Sequence, residues 1–142
     1  MVAISFSVFK DKLLSAKKRQ IIRKHNKERL EQMKEHGIQI YWKQRSQDGY
    51  KLFDATLVEN FEIKFSRWER GYYERNTDKM MYVRMGDDSE FVTAPNWFAD
   101  AVARKDGFED FDDMFNWFCD QYGEEEVLNT TFDVIRFKEV EE

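Results

Sequence analysis

Apolar residues alternate with polar or small ones in several stretches of the chain. Near the N-terminus Ile4, Phe6 and Val8 recur at every second position. A period of two predicts a strand with one face buried and the other face exposed. The same reasoning predicts further strands at 19–24, 38–43, 51–65, 80–85 and 90–93. The sequence therefore predicts a sheet in which one long strand lies among several short ones.

Two of the predicted strands have distinctive faces. In the second strand a pair of isoleucines favours extended structure, and alternation puts Ile21 and Arg23 on the same face. Gln20 and Ile22 then share the opposite face. Residues 130–140 are β-branched and aromatic on both faces, which is typical of a strand in the middle of a sheet.

Other stretches carry apolar residues at helical spacing. A short helix is predicted over 9–16. A longer surface helix is predicted between Asn26 and His36, because Asn26 is a suitable N-cap and Gly37 suits the position just after a helix end. Residues 67–78 lack a clear period and predict an irregular loop.

The last third of the chain predicts two more helices. Pro95 fits the first turn of a helix that runs to about Arg104. We expect its buried side to carry Trp97, Phe98, Ala101 and Val102. The next helix opens with four acids, which are favourable near the positive end of a helix dipole: Glu109, Asp110, Asp112 and Asp113. Its apolar stripe contains Phe111, Met114, Phe115, Phe118 and Tyr122, and Gly123 is expected to end it.

This order of elements, with strands at both ends and helices between them, predicts an α+β fold. A small mixed β-barrel with flanking helices fits the order better than a doubly wound sheet, since the chain has no glycine-rich phosphate loop. The chain has 142 residues, of which 42% are hydrophobic, so it is sufficient for one domain with one sizeable core. It lacks a run of eighteen apolar residues and a signal-peptide pattern, which predicts a cytoplasmic protein without a membrane partner.

Charge is distributed unevenly along the chain. The formal net charge is -5, but from Lys10 to Arg29 there are nine Lys and Arg against two acids. From Asp87 to the C-terminus there are four Lys and Arg against seventeen acids. A basic face could hold nucleic acid even though the whole protein is acidic. The acidic C-terminal half could instead bind a protein partner, and a third alternative is that these runs are only solvated surface.

Three stretches carry a resemblance to a known family. The first contains Ala16, Lys18, Ile21 and Arg23, which align with a G-x-K-x-x-T-x-R motif. The second is an alanine, an acid and a Gly-Phe turn that leads into a helix, at Ala103, Asp106, Gly107 and Phe108. The third is the closing strand, Phe132 to Lys138. Together they resemble the ASCH domain of the PUA-like superfamily, over the single domain 1–142, with insertions near 26–37 and 67–78.

The resemblance implies a PUA-like barrel with a cleft for RNA or a nucleotide. Lys18 and Arg23 would face the ligand, and Asp106 would accept a hydrogen bond from a base or orient Lys18; a plain salt bridge between Lys18 and Asp106 is the structural alternative. The wider ligand-binding set is Lys17, Lys18, Arg19, Arg23, Lys24, Asp106, Tyr72 and Tyr73. The two tyrosines belong to the predicted loop, where they could stack on bases.

Some PUA-like relatives are amidohydrolases that act on acetylated cytidine through a lysine and a threonine nucleophile. This chain has Ile21 at the threonine position, and an aliphatic side chain cannot attack an amide. Lys18 and Asp106 remain the candidates for proton transfer, so hydrolysis of a modified nucleoside is kept as the alternative to binding. His25 and His36 have no ligand cluster at a metal-site spacing, so the sequence predicts neither a metal nor a cofactor.

Overall fold

The computed structural model describes residues 2–6, 9, 19–43, 47, 49–67, 78–86 and 88–140. Most of the short helix predicted at 9–16, and most of the loop predicted at 67–78, lie outside these residues. Lys17, Lys18, Tyr72 and Tyr73 also lie outside them.

The described residues form one mixed sheet and four helices. The strands are β1 Val2–Phe6, β2 Gln20–Lys24, β3 Ile38–Trp42, β4 Tyr50–Arg67, β5 Lys79–Arg84, β6 Val92–Thr93 and β7 Thr131–Glu139. The helices are α1 Lys27–His36, α2 Asn96–Lys105, α3 Phe111–Tyr122 and α4 Glu124–Leu128. The predicted α+β class is confirmed.

The long strand β4 organises the sheet. Its first part pairs with β3 and its last part with β5, while β7 pairs along its middle. β7 also pairs with β2, which confirms that the closing strand is central. β1 adds to β3 in parallel, and β6 adds to β5. Among the described residues no backbone ladder joins β1 to β2, so the sheet is not closed into a barrel there.

Each face of the sheet has its own core. On one face α2, α3 and α4 pack over the sheet around Phe65, Phe115 and Phe132. On the other face Leu30 and Met33 of α1 pack with apolar side chains of the sheet. Neighbours in β2 confirm the predicted alternation: Ile22 belongs to the first core and Ile21 to the second. A buried polar or charged side chain on the sheet therefore needs a hydrogen-bond or ion-pair partner within the protein.

Helix α1 begins and ends as its sequence predicts. The side chain of Asn26 accepts a hydrogen bond from the backbone N–H of Arg29 at 3.0 Å. Gly37 follows the helix with φ of 82°, a value that favours glycine. The end of α3 is confirmed in the same way at Gly123.

The buried face predicted for α2 is wrong in one position. Trp97 is 71% exposed, whereas Ala99, Val102 and Ala103 are buried. At about 100° per residue, Trp97 lies about 200° around the helix from Ala99, so both cannot face the sheet. The three small or medium residues at i, i+3 and i+4 define the true buried stripe.

Gly107 lies in the Gly-Phe turn after α2, where a side chain would meet the ring of Phe9. Its φ is +108°, and a Cβ built on it would lie 2.9 Å from Cδ2 of Phe9. Phe9 in turn packs edge-on against Phe108, with ring centroids 5.3 Å apart. We expect Gly107→Ala to lower the free energy of unfolding by about 1–3 kcal/mol, measured by urea denaturation.

Gly86 provides the matched control for this substitution. A Cβ there would have its nearest neighbour at 3.8 Å, the hydroxyl of Ser89. Gly86→Ala should therefore change the free energy of unfolding by less than about 0.5 kcal/mol. An equal effect of the two substitutions would contradict the described packing of Phe9 on the turn.

Candidate functional site

A pocket opens where β2, β4 and β7 lie side by side, next to the end of α2. We call it the Arg136 pocket. It has a volume of about 450 Å³. Its lining residues are Arg19, Gln20, Val58, Glu59, Lys105, Arg136 and Phe137. Three of these residues are cations and one is an acid, so the pocket is positively charged overall.

Strand register builds the centre of this pocket. Arg136 on β7 lies opposite Gln20 on β2 and opposite Glu59 on β4. Its Nη1 donates to Oε1 of Glu59 at 2.5 Å, and its Nε donates to Oε1 of Gln20 at 3.1 Å. The guanidinium also lies over the ring of Phe61, 5.0 Å from the centroid. Arg136 is therefore held in a fixed orientation at the pocket wall.

Gln20 connects the pocket to the acid of the Gly-Phe turn. Its side chain is almost completely buried. Its Nε2 donates to the carbonyl of Val102 at 2.9 Å and to Oδ1 of Asp106 at 3.3 Å, while its Oε1 accepts from Arg136. The side-chain amide of Gln20 thus links β2 to β7 and to α2. Its nitrogen donates and its oxygen accepts in the same arrangement.

An irregularity in β4 shapes the opposite wall. The pairing of β4 with β7 shifts register between Leu57 and Glu59, so Val58 has no partner in that ladder. Val58 is 59% exposed. Bulges of this kind bend a strand and redirect its side chains, and they are common beside functional sites. Here the bulge leaves an apolar side chain at the pocket next to Glu59.

Arg19 and Lys105 supply the remaining positive charge. Burial lowers the pKa of Arg19 below its ordinary value, and Glu139 partly offsets this. The Nη2 of Arg19 lies 3.6 Å from Oε2 of Glu139, and its guanidinium lies 4.8 Å from the centroid of Phe53. Lys105 is exposed and has no ion pair within the described part of the chain.

The other cations predicted from β2 lie outside this pocket. Arg23 donates to the carbonyls of Ser5 at 2.9 Å and Ile22 at 3.0 Å, so it bridges from β2 to β1 at the open side of the sheet. Burial lowers the pKa of Arg23, and Asp106 and Tyr122 partly offset this. Of the predicted ligand set, Arg19 alone among the described residues lines the Arg136 pocket.

Lys24 and Ile21 also have local partners. The ammonium of Lys24 contacts the carboxylate of Glu126 and lies 4.9 Å from the ring centroid of Tyr122. Ile21, at the position of the family's threonine, is fully buried in the core that contains α1. Its side chain is aliphatic and has no access to solvent, so it offers no nucleophile.

The side chain of His25 is exposed, but two carboxylates lie close to its ring. His25 follows β2 directly, and its Nδ1 lies 2.7 Å from Oδ1 of Asp133 and 3.4 Å from Oε1 of Glu62. Asp133 lies 108 positions away in sequence. The sequence has no ligand cluster at a metal-site spacing, and strand pairing rather than sequence spacing brings these carboxylates together. His36, in contrast, is exposed and lies near Glu35 alone among the described carboxylates.

Several acids of the C-terminal third have roles inside the fold. The side chain of Asp110 caps α3 by accepting from the N–H of Asp113 at 2.8 Å. Glu124 and Asp78 both bind Arg67, and Glu126 binds Lys24. The alternative of an acidic surface for a protein partner stays a prediction.

Comparison of the chain with family models, with curated proteins and with solved structures finds no match. No helix in the described residues has the length and apolar character needed to cross a bilayer. The fold and the pocket together define an α+β protein with a cationic cavity beside a bulged strand.

Proposed function

We propose that this chain is an ASCH-like, PUA-like module that binds RNA, or a single nucleotide unit of it, in the Arg136 pocket. The observation that carries the proposal is the convergence of Arg19, Lys105 and Arg136 on one cavity of about 450 Å³. Cavities of roughly 300–1,000 Å³ are typical of small-molecule and cofactor sites. A nucleotide is a ligand of that size.

The chemistry of the lining suits a phosphate next to a flat base. A guanidinium offers a planar fork of donors that matches phosphate oxygens, and an exposed ammonium adds a compact charge. Val58 and Phe137 give apolar contact area at the same cavity. Arg136 is already oriented by Gln20, so less conformational entropy is lost when a ligand binds.

The acids beside the pocket do not prevent such binding. Glu59 and Glu139 are each about half exposed. Because solvent reaches these carboxylates and screens the ion pairs, a phosphate can compete for the guanidinium groups. Lys105 has no partner to give up among the described residues.

We include the basic segment before β2 in the proposal because of its charge and its place in the sequence. Lys17 and Lys18 precede Arg19 directly in the sequence, and Lys18 is the lysine of the family-like motif. Asp106, the acid of the Gly-Phe turn, is joined to the pocket through Gln20. We assign Arg23 a supporting role rather than direct contact with the ligand, because its Nη1 and Nη2 donate to backbone carbonyls.

We expect Lys105→Gln and Arg136→Gln each to weaken binding of a labelled single-stranded RNA by about three- to tenfold. Each substitution removes one phosphate contact, so the slope of log K against log salt should become smaller by about 0.7. Fluorescence anisotropy at several salt concentrations measures both quantities. Because Lys105 is exposed, its substitution tests charge without disturbing the fold.

Lys51→Gln is the matched control. Lys51 is exposed near the start of β4 and is not a lining residue of the pocket. It should leave both the affinity and the salt slope unchanged. Salt-insensitive binding by the wild type, no binding of RNA or nucleotide, or an equal loss in all three variants would each contradict the proposed function.

A further inference from the structure

A second polar cluster lies on β4, on β7 and at the residue after β2, away from the Arg136 pocket. His25, Glu62 and Asp133 each offer one ligand atom, and these atoms all lie within 4.8 Å of one another. Asp133 has no exposed surface and Glu62 is 6% exposed, while His25 is exposed. Two buried carboxylates that converge on one imidazole nitrogen are unusual, because burying charge is costly without compensation.

From this geometry we propose that His25, Glu62 and Asp133 bind a divalent transition-metal ion. Metal–ligand bonds of about 2.1 Å at angles of 90–109° separate neighbouring ligand atoms by about 3.0–3.4 Å. The Nδ1 of His25 lies 2.7 Å from Oδ1 of Asp133 and 3.4 Å from Oε1 of Glu62. The contact between His25 and Asp133 is shorter than this range, so these two side chains move slightly apart when an ion binds.

The outer oxygens of both carboxylates are already held in place. Oδ2 of Asp133 accepts from the backbone N–H of Asn26 at 2.9 Å, with Arg29 3.9 Å away. Oε2 of Glu62 accepts from Nε of Arg84 at 2.7 Å. The inner oxygens therefore point to His25. Such supporting hydrogen bonds orient ligands at many metal sites.

Strand register explains why these groups meet. Asp133 on β7 lies opposite Glu62 on β4, and Glu62 lies opposite Arg84 on β5. The two carboxylates and a divalent ion together sum to zero charge, and Arg84 forms an ion pair with the outer oxygen of Glu62. The sheet, rather than a flexible loop, positions both carboxylate ligands.

Room for further ligands is available beside the cluster. A small cavity of about 90 Å³ is lined by His25, Glu62 and Arg84, among others. Since a water occupies about 30 Å³ in the liquid, this cavity accommodates about three waters. A three-residue set with open positions is the arrangement of metal sites that exchange ligands. One imidazole and two carboxylates favour Mn²⁺, Fe²⁺ or Zn²⁺ over Mg²⁺, which prefers oxygen ligands.

Isothermal titration of the full chain, stripped of metal with a chelator, tests this site with Zn²⁺ and Mn²⁺ as probes. We expect one ion per chain, and we expect His25→Ala to weaken binding by at least about tenfold. His36→Ala is the matched control, because His36 is exposed and is not a member of the cluster. It should bind the ion with wild-type affinity.

A second variant keeps the test independent of folding. Glu62→Gln preserves the size of the side chain, and circular dichroism establishes whether each variant is folded. Folded Glu62→Gln should also lose at least about tenfold in affinity. The proposal is overturned if the wild type binds neither ion at a 1:1 ratio, if folded His25→Ala and Glu62→Gln bind as the wild type does, or if His36→Ala loses binding equally.

Discussion

Replacing Phe65 with alanine is expected to lower the free energy of unfolding by about 3–5 kcal/mol. Phe65 is buried in β4 at the centre of the core under α3. Its ring lies 5.2–5.8 Å from the centroids of Phe111, Phe115, Phe118 and Phe132. The substitution removes aromatic contacts on several sides at once and leaves a cavity that this close packing cannot readily fill.

Urea denaturation with an unchanged m-value measures the effect as a shift of the midpoint. Trp97→Ala is the matched control, because this larger aromatic residue is 71% exposed on α2. It should cost less than about 1 kcal/mol. If both substitutions had the same cost, Phe65 would not be the centre of the aromatic core.

Replacing Asp133 with alanine is expected to cost about 3–5 kcal/mol, since it removes one partner of a buried charged network. Asp133 is fully buried and contacts His25 through one oxygen and the N–H of Asn26 through the other. Without it, the N–H that precedes α1 loses its acceptor. Arg29, whose Nη2 lies 3.9 Å from Oδ2 of Asp133, also loses this nearby carboxylate.

The same urea experiment measures this cost in the presence of a chelator, so that any bound ion does not contribute. Asp120→Ala is the control, because Asp120 is exposed on α3 and has no ion pair in the described part of the chain. Its effect should stay within about 0.5 kcal/mol. A cost below about 1 kcal/mol for Asp133→Ala would contradict the described network.

Local patterns predicted the elements well. Alternation of apolar residues predicted several strands of the described sheet, β-branched and aromatic residues on both faces predicted β7, and Asn26, Gly37 and Gly123 were placed correctly at helix ends. These features depend on neighbours in sequence, so a single sequence contains them. The error at Trp97 arose because α2 has apolar residues on more than one side. Composition alone does not decide which side faces the sheet.

The pocket was only partly predictable. Arg19 was named from the charge run, but Gln20, Lys105 and Arg136 were missed. Arg136 comes 116 positions after Gln20, and only the pairing of β2 with β7 brings them together. The one local sign was Gln20, which shares a face of β2 with the buried Ile22, because a buried amide requires partners.

The cluster of His25, Glu62 and Asp133 was missed for the same reason. Its three members belong to three different segments, and the spacing of metal-site motifs describes ligands that are close in sequence. Asp133, between Phe132 and Val134 in a strand predicted to be central, was the available local sign. A buried acid in a central strand indicates either an ion pair or a ligand.

Mapping of backbone amide shifts by NMR tests most directly whether RNA binds at the Arg136 pocket. Titration of a short single-stranded RNA into ¹⁵N-labelled protein at low salt should produce the largest shifts at the pocket residues Arg19, Gln20, Val58, Glu59, Lys105 and Arg136. Raising the salt concentration should reverse these shifts together. Shifts concentrated on α1 and β3, or no shifts at all, would contradict binding of RNA at the Arg136 pocket.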